Sequence, residues 1–237
     1  RAVRGVPVIY SAGDHVRASV GAEPALVVAP PGGEPGAFGG YAAALLLDAD
    51  AMLRFDSLRA PEAALRRWFN AAALVRSAAQ GGVVVTTASP SPVEQALVRW
   101  DPTWFALYEL DERSQIGLPP AVRTAAITGT EDDVQAFLAE LNLPEGVRVT
   151  GPVPLDEDFF AHQSVHAGVE SGGEGDISEP SPSGAEDAVP GDWRAILFFT
   201  YAQAPQVTHE LRSVRAALSA LRRVGAVQVR CDGLDVV

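Results

Sequence analysis

One stretch of sequence decides the fold of the second half of this chain. Residues 121–154 have the sequence AVRTAAITGTEDDVQAFLAELNLPEGVRVTGPVP, in which two runs rich in valine, alanine and threonine flank a run with helical periodicity. Short runs of β-branched residues favour strands, whereas apolar residues at intervals of three and four favour a helix. We therefore predict strands over Val122–Thr128 and Val147–Val153, with a helix over Glu131–Leu141 between them.

The same order of elements recurs further along the chain. The pattern predicts a strand over Trp193–Tyr201, a helix over Val207–Val224 and a final strand over Ala226–Arg230. Two successive β-α-β units are typical of the ferredoxin-like split β-α-β fold. We predict that fold for a domain that comprises residues 121–237.

An acidic insertion, residues 156–192, separates the two β-α-β units. Ten of the chain's 30 acidic residues lie in it and no arginine does, whereas the remaining 20 acids nearly balance 18 arginines. The segment is also rich in glycine, serine and proline, so it cannot bury enough apolar surface to offset the entropy lost on ordering. We predict that this insertion is disordered.

The first half alternates short apolar runs with helical patterns, which favours an α/β layer with a parallel sheet over residues 1–100. A helical linker over residues 101–120 follows, broken near Asp101-Pro102 and ending in the stiff turn Leu118-Pro119-Pro120. The predicted elements are strands over Val6–Tyr10, Ala25–Ala29, Ala42–Leu47 and Val83–Thr87, a helix over Pro61–Ala79, and one or two helices within Pro92–Arg113.

Composition excludes several classes of protein. All 18 basic residues are arginine, so mechanisms that need a lysine, such as a Walker phosphate loop or a Schiff base, are absent. The single cysteine, Cys231, rules out an internal disulfide or a cysteine-rich zinc site and favours a cytoplasmic protein. The longest apolar run, Tyr41–Leu47, is far shorter than the about 20 residues of a membrane span. The first residue, Arg1, is not methionine, so we expect the rear portion of a longer protein.

Three sequence patterns could indicate a ligand-binding site, and each can also be explained without a ligand. The glycine-rich loop Pro30–Gly40 could hold phosphate, but three prolines and Glu34 favour an ordinary flexible loop. Asp48 and Asp50 follow a predicted strand, where acids either bind metal-nucleotides or end the strand. His162 and His166 have metal-ligand spacing but lack a third ligand. We predict no catalytic residue and no metal site.

Arginines of the last predicted helix form a stripe. Arg212, Arg215 and Arg222 recur at helical spacing, with Arg223 at the edge of the stripe and Arg194 on the preceding strand. Such a stripe is either a solvated basic face or a set of phosphate contacts, because guanidinium groups match phosphate oxygens in geometry.

Short motifs also occur in a characteristic order along the chain. They are Leu46–Asp50, Arg59, Gln80–Val85, Leu118–Pro120, Gly151–Pro154 and the run Val229–Val236. In order and spacing they resemble the second motor lobe and the C-terminal domain of the primosomal replication-restart family, the PriA helicases. The resemblance covers the chain except for the acidic insertion, and it implies a helicase-like second lobe over residues 1–100.

The motor motifs depart from that family. Active members carry Gln-x-x-Gly-Arg-x-Gly-Arg before the Gln-Gly strand, whereas the corresponding stretch Phe69–Arg76 has Ala73 in place of one arginine and keeps only Arg76. The loop Pro30–Gly40 replaces a Gly-Thr-Gln…Lys-Gly element. The resemblance therefore implies a degenerate lobe, in the branch of the family without ATPase motifs. The family's zinc-binding cysteines and ATP-binding first lobe would precede Arg1.

The resemblance implies a replication-restart factor that assembles the primosome. Its expected partners are DNA forks and single-stranded/duplex junctions, single-strand-binding protein and other primosome proteins, in the cytoplasm at the nucleoid and not at a membrane. Two alternatives stay open: part of an ATP-dependent 3'-5' DNA helicase whose ATP site lies upstream, and a protein–protein adaptor that uses the lobe as a scaffold.

Overall fold

Two compact units make up the chain, Arg1–Ala106 (unit 1) and Leu107–Val237 (unit 2). The computed structural model describes residues 5–47, 49–55, 57–155, 192–220 and 227–232. Helices and strands are mixed in both units, so the predicted α/β class is confirmed. No helix in the described part of the chain has the length and apolar character needed to cross a membrane.

Unit 1 contains short parallel strands beside three helices. Its strands pair two by two: β1 with β3, β2 with β4, and β5 with β6, each pair parallel. The strands are β1 (Val8–Tyr10), β2 (Ser19–Val20), β3 (Leu26–Val28), β4 (Gly36–Ala37), β5 (Ala43–Leu46) and β6 (Val83–Thr86). The helices are α1 (Ala49–Leu53), α2 (Ala60–Ala73) and α3 (Pro92–Arg99), followed by α4 (Pro102–Ile116), which continues into unit 2.

The core of unit 1 lies between its helices. Trp68 and Leu65 of α2 pack with Leu97 of α3 and with Phe105, and all four are buried. The strands are less covered: Leu45 of β5 is 61% exposed and Val83 of β6 is 52% exposed. In the sequence, the continuous apolar runs Ala25–Ala29 and Ala42–Leu47 predict strands that are covered on both faces. That prediction is wrong, since Leu26 is 41% exposed and Leu45 is 61% exposed. An apolar run reports what a strand can bury, whereas coverage depends on what packs against it.

Helix α2 ends six residues before the predicted boundary at Ala79. The helix ends after Ala73 because the backbone that follows forms hydrogen bonds with Tyr41. The Tyr41 N–H donates to the Leu74 carbonyl at 2.9 Å, and the Arg76 N–H donates to the Tyr41 carbonyl at 3.0 Å. Val75 thereby forms a bridge with Tyr41 instead of a further helical turn. The next helix boundary follows the prediction, since α3 and α4 are separated at Trp100 and Asp101, and Asp101 Oδ1 accepts the Trp104 N–H at 2.9 Å.

The backbone of Arg76 packs closely against two glycines, Gly40 and Gly82. A Cβ on Gly40 would lie 3.1 Å from Arg76 N, and a Cβ on Gly82 would overlap the carbonyl oxygen of Arg76. The turn before β6 therefore depends on the absence of a side chain at position 82.

Unit 2 is built on a four-stranded antiparallel sheet. Its strands lie in the order β10-β7-β9-β8, where β7 is Arg123–Gly129, β8 is Arg148–Pro154, β9 is Trp193–Phe199 and β10 is Gln228–Cys231. Helix α5 (Glu131–Glu140) connects β7 to β8, and helix α6 (Ala204–Ala220) follows β9. The predicted strands and helices are all present, with boundaries shifted by a few residues.

One face of this sheet packs on the helices. Ile127 of β7 and Leu197 of β9 are fully buried against Phe137 of α5 and Val207 of α6. Successive side chains of a strand point to opposite faces, so the alternate residues lie on the face away from the helices. We call this the outer face. Its residues are Thr124, Ala126 and Thr128 of β7, Arg148 and Thr150 of β8, Arg194, Ile196 and Phe198 of β9, and Gln228 and Arg230 of β10.

The Gly151–Pro154 motif lies at an irregularity in the edge strand β8. The register shifts between Thr150 and Val153, and Gly151 has a φ of 93°. A Cβ on Gly151 would lie 2.6 Å from the Arg194 carbonyl oxygen, so a glycine is needed there. Beyond β8, the Leu155 N–H donates to the Asp192 carbonyl at 2.7 Å. Of the insertion predicted to be disordered, Asp192 is described, and residues 156–191 lie outside the described part of the chain.

We expect Gly82→Ala to destabilise unit 1, because the new methyl group must displace the Arg76 backbone. The free energy of unfolding should fall by about 1–3 kcal/mol, the usual cost of overpacking. The measurement is urea denaturation followed by tryptophan fluorescence, since three of the four tryptophans (Trp68, Trp100 and Trp104) lie in unit 1.

Gly21→Ala is the matched control for this substitution. A Cβ at Gly21 meets nothing within 4 Å, so this variant should unfold with the wild type. Equal midpoints for the two variants would show that the Arg76 backbone does not need the glycine.

Candidate nucleic-acid interface

The arginine stripe predicted on the last helix lies on α6. Arg212 and Arg215 are exposed, on a side of the helix that adjoins the face formed by the buried residues Leu211 and Val214. Arg222 and Arg223 lie outside the described residues. Two members of the stripe are therefore placed side by side on an accessible helical surface, in a position to contact phosphate.

Arg194 is separate from that stripe. It belongs to β9, where the neighbouring residues Trp193 and Ala195 face the helices, so Arg194 lies on the outer face. Because α6 covers the opposite side of the sheet, the predicted arginines do not form one cluster. Arg194 is half-buried and also has a contact within the protein.

Two further arginines on the outer face were not found from the sequence. Arg148 is exposed, its guanidinium carbon lies 4.4 Å from the centre of the Phe198 ring, and its Nη2 donates to the Gly117 carbonyl at 3.0 Å. Arg230 of β10 is half-buried. The sequence shows on which of two alternating faces each arginine of a strand lies. That the arginines of different strands share one face can be concluded only when the strand order is known.

An ion pair joins β7 to the end of β10 at one end of the sheet. Arg123, at the start of β7, pairs with Asp232, just after β10, and this carboxylate raises the pKa of the arginine. Asp232 Oδ1 accepts the Thr124 N–H at 3.1 Å, and the Asp232 N–H donates to the Thr124 carbonyl at 2.9 Å. Asp232 adopts a left-handed backbone with φ of 52°, which turns the chain so that both contacts are made.

Cys231 lies beside this ion pair. Partial burial raises the pKa of its thiol, and the Asp232 carboxylate raises it further, whereas Arg123 and Arg212 act in the opposite direction. A raised pKa leaves little thiolate at neutral pH, and thiolate is the reactive form of cysteine. Cys231 is therefore a poor candidate for a nucleophile.

The glycine-rich loop Pro30–Gly40 is ordered by its own hydrogen bonds. Gly32 N–H donates to Glu34 Oε2 at 2.7 Å, Gly33 N–H to the Pro30 carbonyl at 2.9 Å, and Gly36 N–H to the Ala18 carbonyl at 3.0 Å. The segment predicted as a loop therefore includes a short strand, β4 (Gly36–Ala37). The N–H groups of Gly32, Gly33 and Gly36 are therefore already engaged, and that of Gly32 binds a carboxylate.

The loop is also anchored through its carbonyl groups. The buried Ser11 hydroxyl donates to the Gly33 carbonyl at 2.7 Å, and the Tyr41 hydroxyl donates to the Pro35 carbonyl at 2.7 Å. Burial raises the pKa of Tyr41, and Glu34 adds to the effect, so the phenol keeps its proton for this hydrogen bond.

Asp50 holds a structural contact. Its two carboxylate oxygens accept the Ser89 N–H at 2.8 Å and the Ser89 hydroxyl at 2.6 Å, and these hydrogen bonds lower the pKa of the carboxyl group. This contact ties the start of α1 to the loop after β6, which favours the strand-terminator interpretation. Asp48, the other candidate ligand, lies outside the described residues.

The remnant of the arginine motif lies at the end of α2. Ala73 is exposed at the last position of the helix, and Arg76 is exposed three residues later. The proposed metal pair His162 and His166 lies outside the described residues. In the part of the chain that is described, no group of three His, Cys, Asp or Glu side chains is arranged to hold a metal ion.

A family model described as the primosomal protein N C-terminal domain matches residues 114–234, just over half of the chain. The chain belongs to this family. The resemblance to the primosomal replication-restart proteins is thereby confirmed. The matched primosomal domain includes the whole sheet of unit 2, with α5, α6, the outer face and the arginine stripe.

Two similar relatives are each named "Probable replication restart protein PriA". The protein of Mycobacterium leprae (strain TN) is 52% identical over 158 residues, which are 66% of this chain and 24% of that protein. The protein of Mycobacterium tuberculosis (strain CDC 1551 / Oshkosh) is 51% identical over 160 residues, which are 65% of this chain and 24% of that protein. The chain therefore spans about a quarter of the length of the curated relatives it matches.

We expect Asp232→Asn to make Cys231 more reactive. The substitution removes a charge that raises the thiol pKa, while asparagine still tolerates the left-handed backbone. The midpoint of the pH–rate profile for alkylation by iodoacetamide should therefore move to lower pH. Cys231 is the only cysteine, so the reaction is specific.

Arg212→Gln is the opposing control in the alkylation experiment. Arg212 lowers the pKa of Cys231, so this variant should move the midpoint to higher pH. Shifts in the same direction for both variants would contradict the electrostatic environment described for the thiol.

Proposed function

We propose that this chain is the DNA-binding C-terminal portion of a replication-restart protein that recognises stalled or branched forks and acts without helicase activity. The observation that carries the proposal is the primosomal C-terminal domain over residues 114–234. Relatives more than half identical over about two thirds of this chain, named as replication restart proteins, support the same role.

DNA contact is supported by the arginines of the matched domain. Arg212 and Arg215 are exposed on α6, and together with Arg222 and Arg223 they make up the stripe predicted from the sequence, whereas the weaker candidate Arg194 lies on the other side of the sheet. A duplex presents a dense row of phosphates, so exposed guanidinium groups on a helix suit its backbone without reading its sequence. We assign this stripe to the duplex arms of a fork.

The absence of ATP turnover is supported by unit 1. In the loop Pro30–Gly40, the N–H groups of Gly32, Gly33 and Gly36 are already engaged, and the one at Gly32 donates to the anionic Glu34 carboxylate. Active members of the PriA family carry an arginine at the position of Ala73, and alanine cannot supply a guanidinium group. Arg76 alone leaves the charge of a transferring phosphate largely unbalanced.

The finer fold assignments are part of the same proposal. For unit 2 we propose the ferredoxin-like split β-α-β fold, which the order β10-β7-β9-β8 and the two connecting helices support. For residues 1–100 we propose a degenerate helicase-like lobe, supported by the parallel pairing of β5 with β6 and by the Gln80–Val85 motif. The proposed partners are DNA forks, single-strand-binding protein and other primosome proteins at the nucleoid, with any zinc site upstream of this chain.

A protein–protein adaptor is a second candidate, and one observation favours it. The strands of unit 1 expose apolar side chains, among them Leu45, Val83 and Val85. Such surfaces are typical of protein contacts rather than of DNA contacts. An adaptor that does not bind DNA would show no salt-dependent affinity for a fork.

We expect the chain to bind a forked DNA with an affinity that falls steeply with salt. Replacing Arg212, Arg215 and Arg222 by alanine should reduce the slope of log affinity against log salt by about 0.9 for each lost phosphate contact. The measurement is fluorescence anisotropy of a labelled fork at several salt concentrations, with Arg17→Ala in unit 1 as the control. An unchanged slope in the triple variant would remove the stripe from the interface, and a wild type without affinity would refute DNA binding.

We also expect no DNA-stimulated release of phosphate from ATP. The reason is that the loop and the arginine remnant cannot stabilise the transition state. Inorganic phosphate released by the full-length protein is measured with and without fork DNA. Arg76→Ala is the matched variant, since Arg76 is the one arginine of the motif that remains. Turnover by the wild type that disappears in Arg76→Ala would overturn the non-catalytic proposal.

A further inference from the structure

We propose that His209 is a further phosphate-binding residue on α6, and that it makes the affinity for DNA rise as the pH falls. This inference rests on the proposed DNA-binding function, because it adds one residue to the surface assigned to the duplex arms of a fork. The imidazole binds a phosphate oxygen as a cation, and it loses that charge when the pH is raised.

His209 lies on the solvent side of α6. The helix turns by about 100° per residue, so His209 is roughly opposite the buried residues Val207 and Leu211, which belong to the core of unit 2. Its side chain is exposed, and no hydrogen bond or ion pair joins it to another residue in the described part of the chain. The imidazole can therefore meet a ligand without losing a contact within the protein.

His209 begins a row of basic residues along α6. Arg212 follows it by three residues, which makes the two side chains neighbours on the helix surface, and Arg215 takes the next position of the same row. All three are exposed, and together they extend over about 9 Å of the helix axis. Ser213 and Ala216, beside this row, are small and exposed, so they do not hold a DNA backbone away from it.

The charge of this surface favours an anion. Helix α6 contains one acidic residue, Glu210, and its carboxylate accepts the Asn142 N–H at 2.9 Å. Asn142 follows the end of α5, so this contact directs Glu210 towards α5. The exposed residues of α6 are therefore basic or neutral.

The elements that pack on α6 do so through its buried side. Helix α5 and the sheet contact the core residues of α6, away from His209. The acids of α5 are Glu131, Asp132, Asp133 and Glu140. At the end of the sheet, Asp232 is paired with Arg123, and Cys231 lies beside them. The charged neighbours of His209 along α6 are Glu210 and Arg212.

The chemistry of histidine gives this surface its dependence on pH. Arginine stays charged at all ordinary pH values, whereas histidine changes its charge between about pH 5 and 8. A phosphate stabilises the cationic imidazole, so binding of DNA is linked to the uptake of a proton. Arg212 and Arg215 therefore supply a contribution to the affinity that is constant in this range, and His209 supplies one that grows as the pH falls.

The test measures the affinity for a fluorescein-labelled fork by anisotropy, at about pH 5.5 and about pH 8 and at several salt concentrations. We expect the wild type to bind about two- to fivefold more tightly at the lower pH, as for one exposed ion pair. The slope of log affinity against log salt should be steeper there by up to about 0.9. His209→Gln cannot become charged, so in this variant both differences should disappear. His15→Gln, at an exposed position in unit 1, is the matched control and should behave like the wild type.

A second variant adds the charge permanently. His209→Arg is cationic at both pH values, so its affinity at about pH 8 should equal that of the wild type at about pH 5.5 and should not change with pH. Ala139→Arg places the same charge on α5, outside this surface, and should leave the dependence on pH as it is in the wild type. All these positions are exposed, and thermal melting at both pH values checks that the variants are folded.

Three results would overturn the inference: a wild type whose affinity is the same at both pH values, a His209→Gln variant that keeps the dependence on pH, and an equal gain in affinity in His209→Arg and Ala139→Arg. In each of these cases the wild type still binds the fork, so the proposed function would stand. A wild type that binds no fork at either pH would refute that function and this inference with it.

Discussion

The antiparallel pairing of β7 with β9 is the interaction on which the rest of unit 2 depends. It runs from Arg123–Phe199 to Gly129–Trp193 without a break in register. Because side chains alternate along each strand, this register places Ile127 and Leu197 under the helices and leaves Arg194 on the other side. A slip of one residue would bury an arginine and expose the core, so the hydrophobic contacts with α5 and α6 and the basic outer face have the same origin.

Local patterns were enough to predict the elements of unit 2. The strand over Trp193–Phe199 and the helix over Glu131–Glu140 have strong periodicity within themselves, and the structure has both. The common face of Arg148, Arg194 and Arg230 could not be predicted in the same way. These residues come from three strands, and the face that they share follows from strand order, which depends on contacts between distant residues. The stripe on α6 was visible because a helix brings its own residues together.

In unit 1, contacts between distant residues override two patterns that the local sequence predicts. The helical pattern continued past Ala73, but contacts with Tyr41, more than thirty residues earlier, end the helix there. The loop Pro30–Gly40 has the composition of a flexible segment, yet Ser11 and Tyr41 fix its carbonyl groups. In both places a hydrogen bond to a residue remote in sequence outweighs a local preference. The exposed strands of this unit, with Leu45 and Val83 at the surface, follow from helices that cover only part of the apolar surface.

The hydrogen bond between Leu155 and Asp192 has a consequence for evolution. It holds the end of β8 beside the start of β9, so the two ends of the intervening chain are already joined at the sheet. The entropy of closing such a loop grows only with the logarithm of its length, and a doubling costs about 0.6 kcal/mol. A change in the number of residues between Leu155 and Asp192 therefore adds little to the entropy lost on closing this part of the chain. The same position offers an entry point for a reporter domain in the laboratory.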